Sequence, residues 1–289
     1  MKQYGEKCLI VNGLDGGLDR HHGAVRETYT HGHHASVLAS HTWRTAENSA
    51  AYLLPHLSPG AALLDVGCGP GTITADLAER VAPGPVVGVD AAPGVLAEAA
   101  GRSATGGGRF AVCAADAYDL PFADGAFDVV HAHQVLQHLA RPVTALVEMG
   151  RVLRRGGLLA VRDSDYAAFT WAPADAWLDR WLDLYHRVTA ANGAEADAGR
   201  HLLAWVRAAG FTHPVATSST WTFADPERRA WWGGLWAERV RHSAFAAQAR
   251  ELGLATEADL EAMAEAFLRW AADDDGFFCV LHAEVLARR

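Results

Sequence analysis

Short apolar runs alternate with stretches of helical spacing through the middle of the chain. Leu63, Leu64 and Val66 form a run with strand character, and Ile73, Leu77 and Val81 then recur at helical intervals over residues 72–82. Further strands are expected at Val86 to Asp90, Phe110 to Ala114, Phe127 to His131 and Leu158 to Asp163, with helices near 94–101 and 143–154. Such alternation predicts a parallel sheet with helices on both faces. Upstream, Leu38, Ala46, Ala50, Leu53 and Leu54 mark residues 35–57 as a helix leading into the core and ended by Pro59-Gly60. Residues 1–34 are polar and rich in glycine and histidine, the pattern of a partly ordered arm. After Asp163 the pattern changes. Trp171 to Ala191 and Ala196 to Ala209 read as helices, Phe211 to Phe223 as a strand, 226–271 as an inserted helical region and Phe277 to Leu286 as a closing strand. The chain therefore divides into an arm and lid helix (1–57), a core (58–165) and a substrate-side helical region carrying the last strands (166–289).

The junction of the first strand and helix carries the strongest chemical signal. Asp65-Val66-Gly67-Cys68-Gly69-Pro70-Gly71 makes a glycine-rich turn, where absent Cβ atoms let the backbone approach a ligand and the following helix offers unsatisfied N–H groups. A dinucleotide fingerprint needs glycine at the sixth position from Gly67, and Thr72 stands there. Asp90 ends the second strand, where an acidic side chain can accept from ribose hydroxyls; capping the helix that starts near Pro93 is its other reading.

At 289 residues the chain is long enough to bury a sizeable core without structural staples. Cys8, Cys68, Cys113 and Cys279 lie far apart with no CxxC pair, against a zinc ribbon or a disulfide framework and in keeping with a reducing cytoplasm. The first residues lack the apolar core of a signal peptide, and no stretch is long enough to span a bilayer, so a soluble protein is expected. A formal net charge of −9 disfavours nucleic acid and leaves a small molecule as the expected partner. Lys2 and Lys7 are the only lysines among abundant arginine and alanine, the composition of a GC-rich bacterial genome. Oligomeric state is not legible.

The order Asp65, Gly67, Gly69, Gly71 and Asp90, then Asp116 ahead of Leu120-Pro121-Phe122, then Val135-Leu136-Gln137-His138-Leu139 and Arg151 to Gly157, resembles the UbiE/COQ5-like branch of class I S-adenosylmethionine (SAM) dependent methyltransferases. The likeness is strongest over residues 60–165. Around Tyr29 to Arg44, Arg162 to Tyr166 and Trp221 to Trp236 it narrows to methyltransferases of actinobacterial and fungal natural-product pathways. It implies a Rossmann-like α/β fold with a mostly parallel seven-stranded sheet, an antiparallel last strand, an N-terminal helical arm and a C-terminal helical insertion. The implied cofactor is SAM, leaving as S-adenosylhomocysteine, with no metal. Its implied contacts are Tyr29 as lid, Arg44 on the SAM carboxylate, Asp65, Gly67, Cys68, Gly69, Asp90, Ala91, His133 and Gln134, with Asp116 and Ala117 at the adenine. Packing roles for Tyr29, Arg44 and Asp116 stay open.

His138 follows the fourth strand at the rim where a transferred methyl group would lie. Related enzymes place a histidine there, so His138 is expected as general base with Asp163 as its orienting carboxylate, a structural cap being the alternative. His31, His33 and His34 lack a carboxylate or cysteine at ligand spacing, so no metal is expected. Nine of the ten tryptophans lie beyond Asp163; most should be core and a few should line an acceptor pocket, for which Tyr166, Trp171, Tyr185 and His186 are candidates. These features suit transfer of a methyl group to an aromatic or prenylated natural product. A quinone-ring C-methyltransferase, a NAD-dependent oxidoreductase and a non-catalytic SAM-binding protein are the alternatives.

Overall fold

The computed structural model describes Thr30, residues 41–106 and residues 109–289. Its sheet has eight strands: β1 (Leu63–Val66), β2 (Val86–Asp90), β3 (Ala111–Ala114), β4 (Phe127–His133), β5 (Leu153–Ser164), β6 (Thr170–Ala172), β7 (Thr212–Phe223) and β8 (Phe277–Arg288). The order is β3-β2-β1-β4-β5-β8, with β7 along the outer edge of β8 and β6 continuing the row of β5. The first five strands are parallel, and β8 runs against β5, β6 and β7. The fold is thus a Rossmann-like α/β sheet, with one short strand more than the expected seven.

Helices follow: α1 (Ala46–Ser49), α2 (Thr72–Val81), α3 (Pro93–Thr105), α4 (Pro142–Val152), α5 (Ala176–Ala191), α6 (Ala198–Ala208), α7 (Pro226–His242), α8 (Ala244–Glu251) and α9 (Glu257–Ala272). Ile73, Leu77, Val81, Leu96 and Ala99 pack α2 and α3 on one sheet face, over Leu63, Val129, Leu158 and Ala160. Alternate residues of the same strands, Leu64, Val130, Leu159 and Val161, meet α4 and α6 on the other. A third, aromatic core of α5, α7, α8 and α9 lies against Phe223 and Phe278.

Two expected elements differ. The described part of 35–57 breaks into α1, which ends where Ala50 leaves helical geometry at φ −138°, and a single turn at Leu54–His56, where Pro55 has no N–H to continue an α-helix. The segment from Trp171 starts as strand: Thr170–Ala172 pairs with β8, Pro173 follows, and the Asp175 carboxylate accepts from the Trp177 N–H to start α5. Among the described residues no helix is long and apolar enough to cross a membrane.

Candidate functional site

The turn from β1 to α2 places Gly67, Gly69 and Gly71 at φ of +70°, +54° and +77°. Side chains are disfavoured there, and a Cβ on Gly67 would come within 2.3 Å of Val135 Cγ2. The turn after β4 therefore packs directly on the glycine loop. The Gly69 and Ala92 N–H groups donate to Asp90 Oδ2 at 3.0 Å and Oδ1 at 2.9 Å, so half-buried Asp90 ties the loop to the end of β2. Ala91 beside it is exposed. Cys68 is buried, and burial pushes its thiol pKa well up, with Asp65 and Asp90 adding to the effect.

Asp65 turns away from the loop mouth. Its Oδ2 accepts from Thr74 Oγ1 at 2.5 Å and its Oδ1 lies 2.7 Å from His131 Nδ1, all three side chains being buried. Asp116 is exposed; its Oδ1 accepts from the Tyr118 N–H at 2.9 Å, and Ala117 packs against the core beneath.

At the end of β4, Gln134 takes a left-handed φ of +52° and gathers two elements. Arg44 donates to its Oε1 at 2.5 Å, and its Nε2 lies 2.8 Å from His282 Nε2 on β8. Arg44 also lies over the Trp221 ring at 5.6 Å, which Arg162 approaches at 5.1 Å. Arg162 is fully buried, with Ser219 Oγ at 3.0 Å, Glu284 Oε1 at 3.3 Å and His133 Nδ1 at 3.4 Å. Burial lowers its pKa to about 10, against the pull of Glu284. Burial first, then Arg162 and Arg44, hold the imidazoles of His133 and His282 well below the usual histidine range.

The expected base and its carboxylate stand on different partners. Asp163 is fully buried; Oδ1 accepts from the Gln137 N–H at 3.2 Å, and Oδ2 has no hydrogen-bond partner among the described residues. Burial pushes its pKa up to about 7 although the backbone N–H groups of the turn pull it down. His138 instead has its Nε2 3.0 Å from Gln137 Nε2. Burial and the Arg44 charge lower its pKa to about 3.

Beyond β5, Tyr166 stacks on Tyr185 with ring centroids 3.9 Å apart, and both are buried. Trp171 is half-buried and stacks on Phe278. His186 is held at both ring nitrogens, by the Leu182 carbonyl at 2.8 Å and Asp197 Oδ1 at 2.9 Å. Trp181 and Trp236 belong to the sealed aromatic core, whereas Trp43, Trp171 and Trp231 lie partly buried at its fringe. Tyr29 lies outside the described residues, and among those described no group of three His, Cys, Asp or Glu side chains could hold a metal ion. Gln137, Ser164 and His282 were not singled out in the sequence. Gln137 and Ser164 lie inside the segments that carry the resemblance, but His282 gives no local signal.

The model of the methyltransferase domain matches residues 64–161. An uncharacterized methyltransferase of Schizosaccharomyces pombe is 34% identical over 273 residues, 90% of this chain and 96% of that protein. The Aspergillus luteorubrus protein named "Probable methyltransferase ltbC" is 30% identical over 278 residues, again covering 90% of this chain and 96% of its own length. Among solved structures, the YcgJ protein of Bacillus subtilis shares the fold with a TM-score of 0.53 at 16% identity, over 84% of this chain and 98% of that one.

Proposed function

The chain belongs to the class I SAM-dependent methyltransferases, and from that membership we propose that it methylates a small aromatic or prenylated natural product. The observation that carries the acceptor class is the fringe of half-buried rings, Trp43, Trp171 and Trp231, on an aromatic core at the carboxyl edge of the sheet. Flat apolar molecules are held by such surfaces. We assign residues 1–57 to the lid, 58–165 to the cofactor and 166–289 to the acceptor.

The residues present fit SAM. The loop at Gly67 and Gly69 carries no Cβ, so its backbone can approach a ligand closely, and the two carboxylate oxygens of Asp90, each accepting from one backbone N–H, can also accept from ribose hydroxyls. Exposed Asp116 has an oxygen for the adenine amino group, with Ala117 against the ring. Arg44, already fixed by Gln134, suits the carboxylate of the methionine moiety, near Gln134 and His133. Tyr29, outside the described residues, keeps its expected lid role in this reading. Gly67, Cys68, Gly69 and Ala91 contribute backbone, and Asp65 acts by shaping the loop from below. Tyr166, Tyr185 and Trp171 form the wall behind the acceptor, with His186 orienting α5 from outside.

Bound SAM supplies an electrophilic methyl group that needs no further activation, so the protein's tasks are to orient the acceptor in line with it and exclude water. Calorimetry with SAM tests the cofactor site: the native protein should bind, and Asp90→Ala should weaken binding at least about tenfold, as expected for a lost charged hydrogen bond. Unchanged affinity in the variant removes the ribose assignment, and absence of binding by the native protein removes the whole reading. Incubating the enzyme with methyl-labelled SAM and an extract of the source organism then identifies the acceptor. Label in a quinone ring would favour the UbiE-type alternative.

A further inference from the structure

The turn after β4 sets the proton position on His138. Gln137 Oε1 lies 3.3 Å from the Ser164 backbone N–H and 2.5 Å from Ser164 Oγ. A backbone N–H can only donate, so the carboxamide oxygen must face Ser164, which leaves the NH2 group toward His138. That NH2 group also only donates, and its partner at 3.0 Å is His138 Nε2. Nε2 of His138 is therefore an acceptor without a proton, and a neutral ring in this state carries its hydrogen on Nδ1.

We propose that Gln137 and Ser164 are positioning residues that lock His138 as the neutral Nδ1–H tautomer, so that His138 serves the reaction as a hydrogen-bond donor to an oxygen of the acceptor rather than as its general base. The assignment to an acceptor rests on the methyltransferase reading of the site; the tautomer does not. Every other contact of Gln137 supports a rigid mount. Its side chain is buried, its N–H donates to Asp163 at 3.2 Å, and its carbonyl accepts from the Glu195 N–H at 3.1 Å. Asp163, expected to orient the histidine directly, thus acts one residue away, by fixing the backbone of the turn. With its pKa lowered to about 3 by burial and Arg44, the ring is a poor proton acceptor at neutral pH. The same device recurs on the other side of β4: Arg44 can only donate to Gln134 Oε1, so Gln134 Nε2 donates to His282 Nε2 and puts that proton on Nδ1. The consequence for specificity is an acceptor with a carbonyl, enolate or phenolate oxygen near the methylated atom, since these gain from a preorganised donor.

Nitrogen-15 NMR of the full chain labelled at histidine reads the tautomer directly, with the His138 signals assigned by their loss in His138→Asn. The expected result near neutral pH is a pyrrole-like Nδ1 and a pyridine-like Nε2. Gln137→Glu should reverse the assignment or protonate both nitrogens, because a carboxylate presents an acceptor to Nε2, while Ser164→Ala, which keeps the backbone N–H that holds the carboxamide oxygen, should preserve the native assignment. A native spectrum with a protonated Nε2 overturns the proposal, even if neither variant folds. Turnover of the acceptor found by labelling tests the donor role. His138→Asn keeps an N–H donor and should stay within about tenfold of native, whereas His138→Leu should lose roughly a hundredfold or more. Equal losses in the two variants would overturn the donor role. If no acceptor is ever labelled, the functional reading fails while the spectrum still decides the tautomer.

Discussion

The two faces of the sheet are built from alternate residues of the same strands, yet they end differently. On the face under α4 and α6, Leu64, Val66, Val130, Ala132, Leu159, Val161 and Val285 are apolar throughout, and Asp163 appears only at the rim of β5. On the opposite face Leu63, Val129, Leu158 and Ala160 give way to a polar row. Asp65 is level with His131, two residues further along the strands His133 is level with Arg162 and Arg162 with Glu284, and two further His282 is level with Ser219, so the polar groups step across β1, β4, β5, β8 and β7 on one face. The first face is held by apolar burial and receives its chemistry from a turn. The second is held by charges and hydrogen bonds that must all be satisfied at once, because buried polar groups cost stability when left unpaired.

The comparison breaks most visibly at Arg162. Arg162→Met leaves Glu284 buried with its remaining partners Thr217 at 2.8 Å and Ser219 at 2.5 Å, which cannot neutralise it. Removing one partner of a buried pair costs about 3–5 kcal/mol, whereas replacing both by apolar groups is often close to neutral. Urea unfolding should therefore show a large loss for Arg162→Met and substantial recovery in Arg162→Met/Glu284→Leu. A loss below about 1 kcal/mol would mean that the pair behaves like a surface bridge and that the two faces are held alike.

Acid sharpens the contrast, because the faces titrate with opposite sign. His133 and His282 have folded pKa values lowered by burial and by Arg162, so below about 6.5 the unfolded chain takes up more protons and stability falls on acidification. Asp163 is raised to about 7, so between about 4 and 7 the folded chain holds the extra proton, and its contribution is lost as pH rises through that window. Asp163→Asn should abolish that loss. Relative to the native protein, the variant should gain up to about 4 kcal/mol between pH ~4 and ~8, and its own stability should rise more steeply over that range. Parallel curves for the two proteins would show that Asp163 ionises in the fold as readily as in the unfolded chain.

The apolar face was readable in advance because strand alternation and helical spacing are local. β1 and β2 fall on the expected residues, and the glycine loop with Asp90 is contiguous enough to carry a resemblance. The polar row was not readable, since Arg162 meets Glu284 across 122 positions and Gln134 meets His282 across 148. His133 and Gln134 were singled out, but His133 meets Arg162 of β5 and Gln134 bridges Arg44 to His282 of β8, contacts that a single sequence does not place. His138 and Asp163 were also singled out, and their expected pairing was undone by a neighbour. The Gln137 side chain fills the space beside the histidine, while its backbone N–H takes the Asp163 carboxylate. Spacing along a chain reports which residues share a turn, not which atom of each faces which.

The smallest test concerns how the N-terminal segment is fastened to the polar face. Trp221 Nε1–H donates to the Asn48 carbonyl at 2.7 Å, and its ring packs edge-on against Trp43 at 5.1 Å while receiving both guanidinium groups. Trp221→Phe keeps a ring for Arg44 and Arg162 but removes the only donor of the side chain, so the expected cost is about 1 kcal/mol. Because the bond joins two elements rather than closing a strand, the loss should be local. Amide exchange should quicken across 46–57 and stay unchanged in β1, β4 and β5, whose amides report the sheet itself. Uniform acceleration through those strands would show that the segment and the sheet unfold as one unit, and that the polar face owes its integrity to its cover as much as to the Arg162 network.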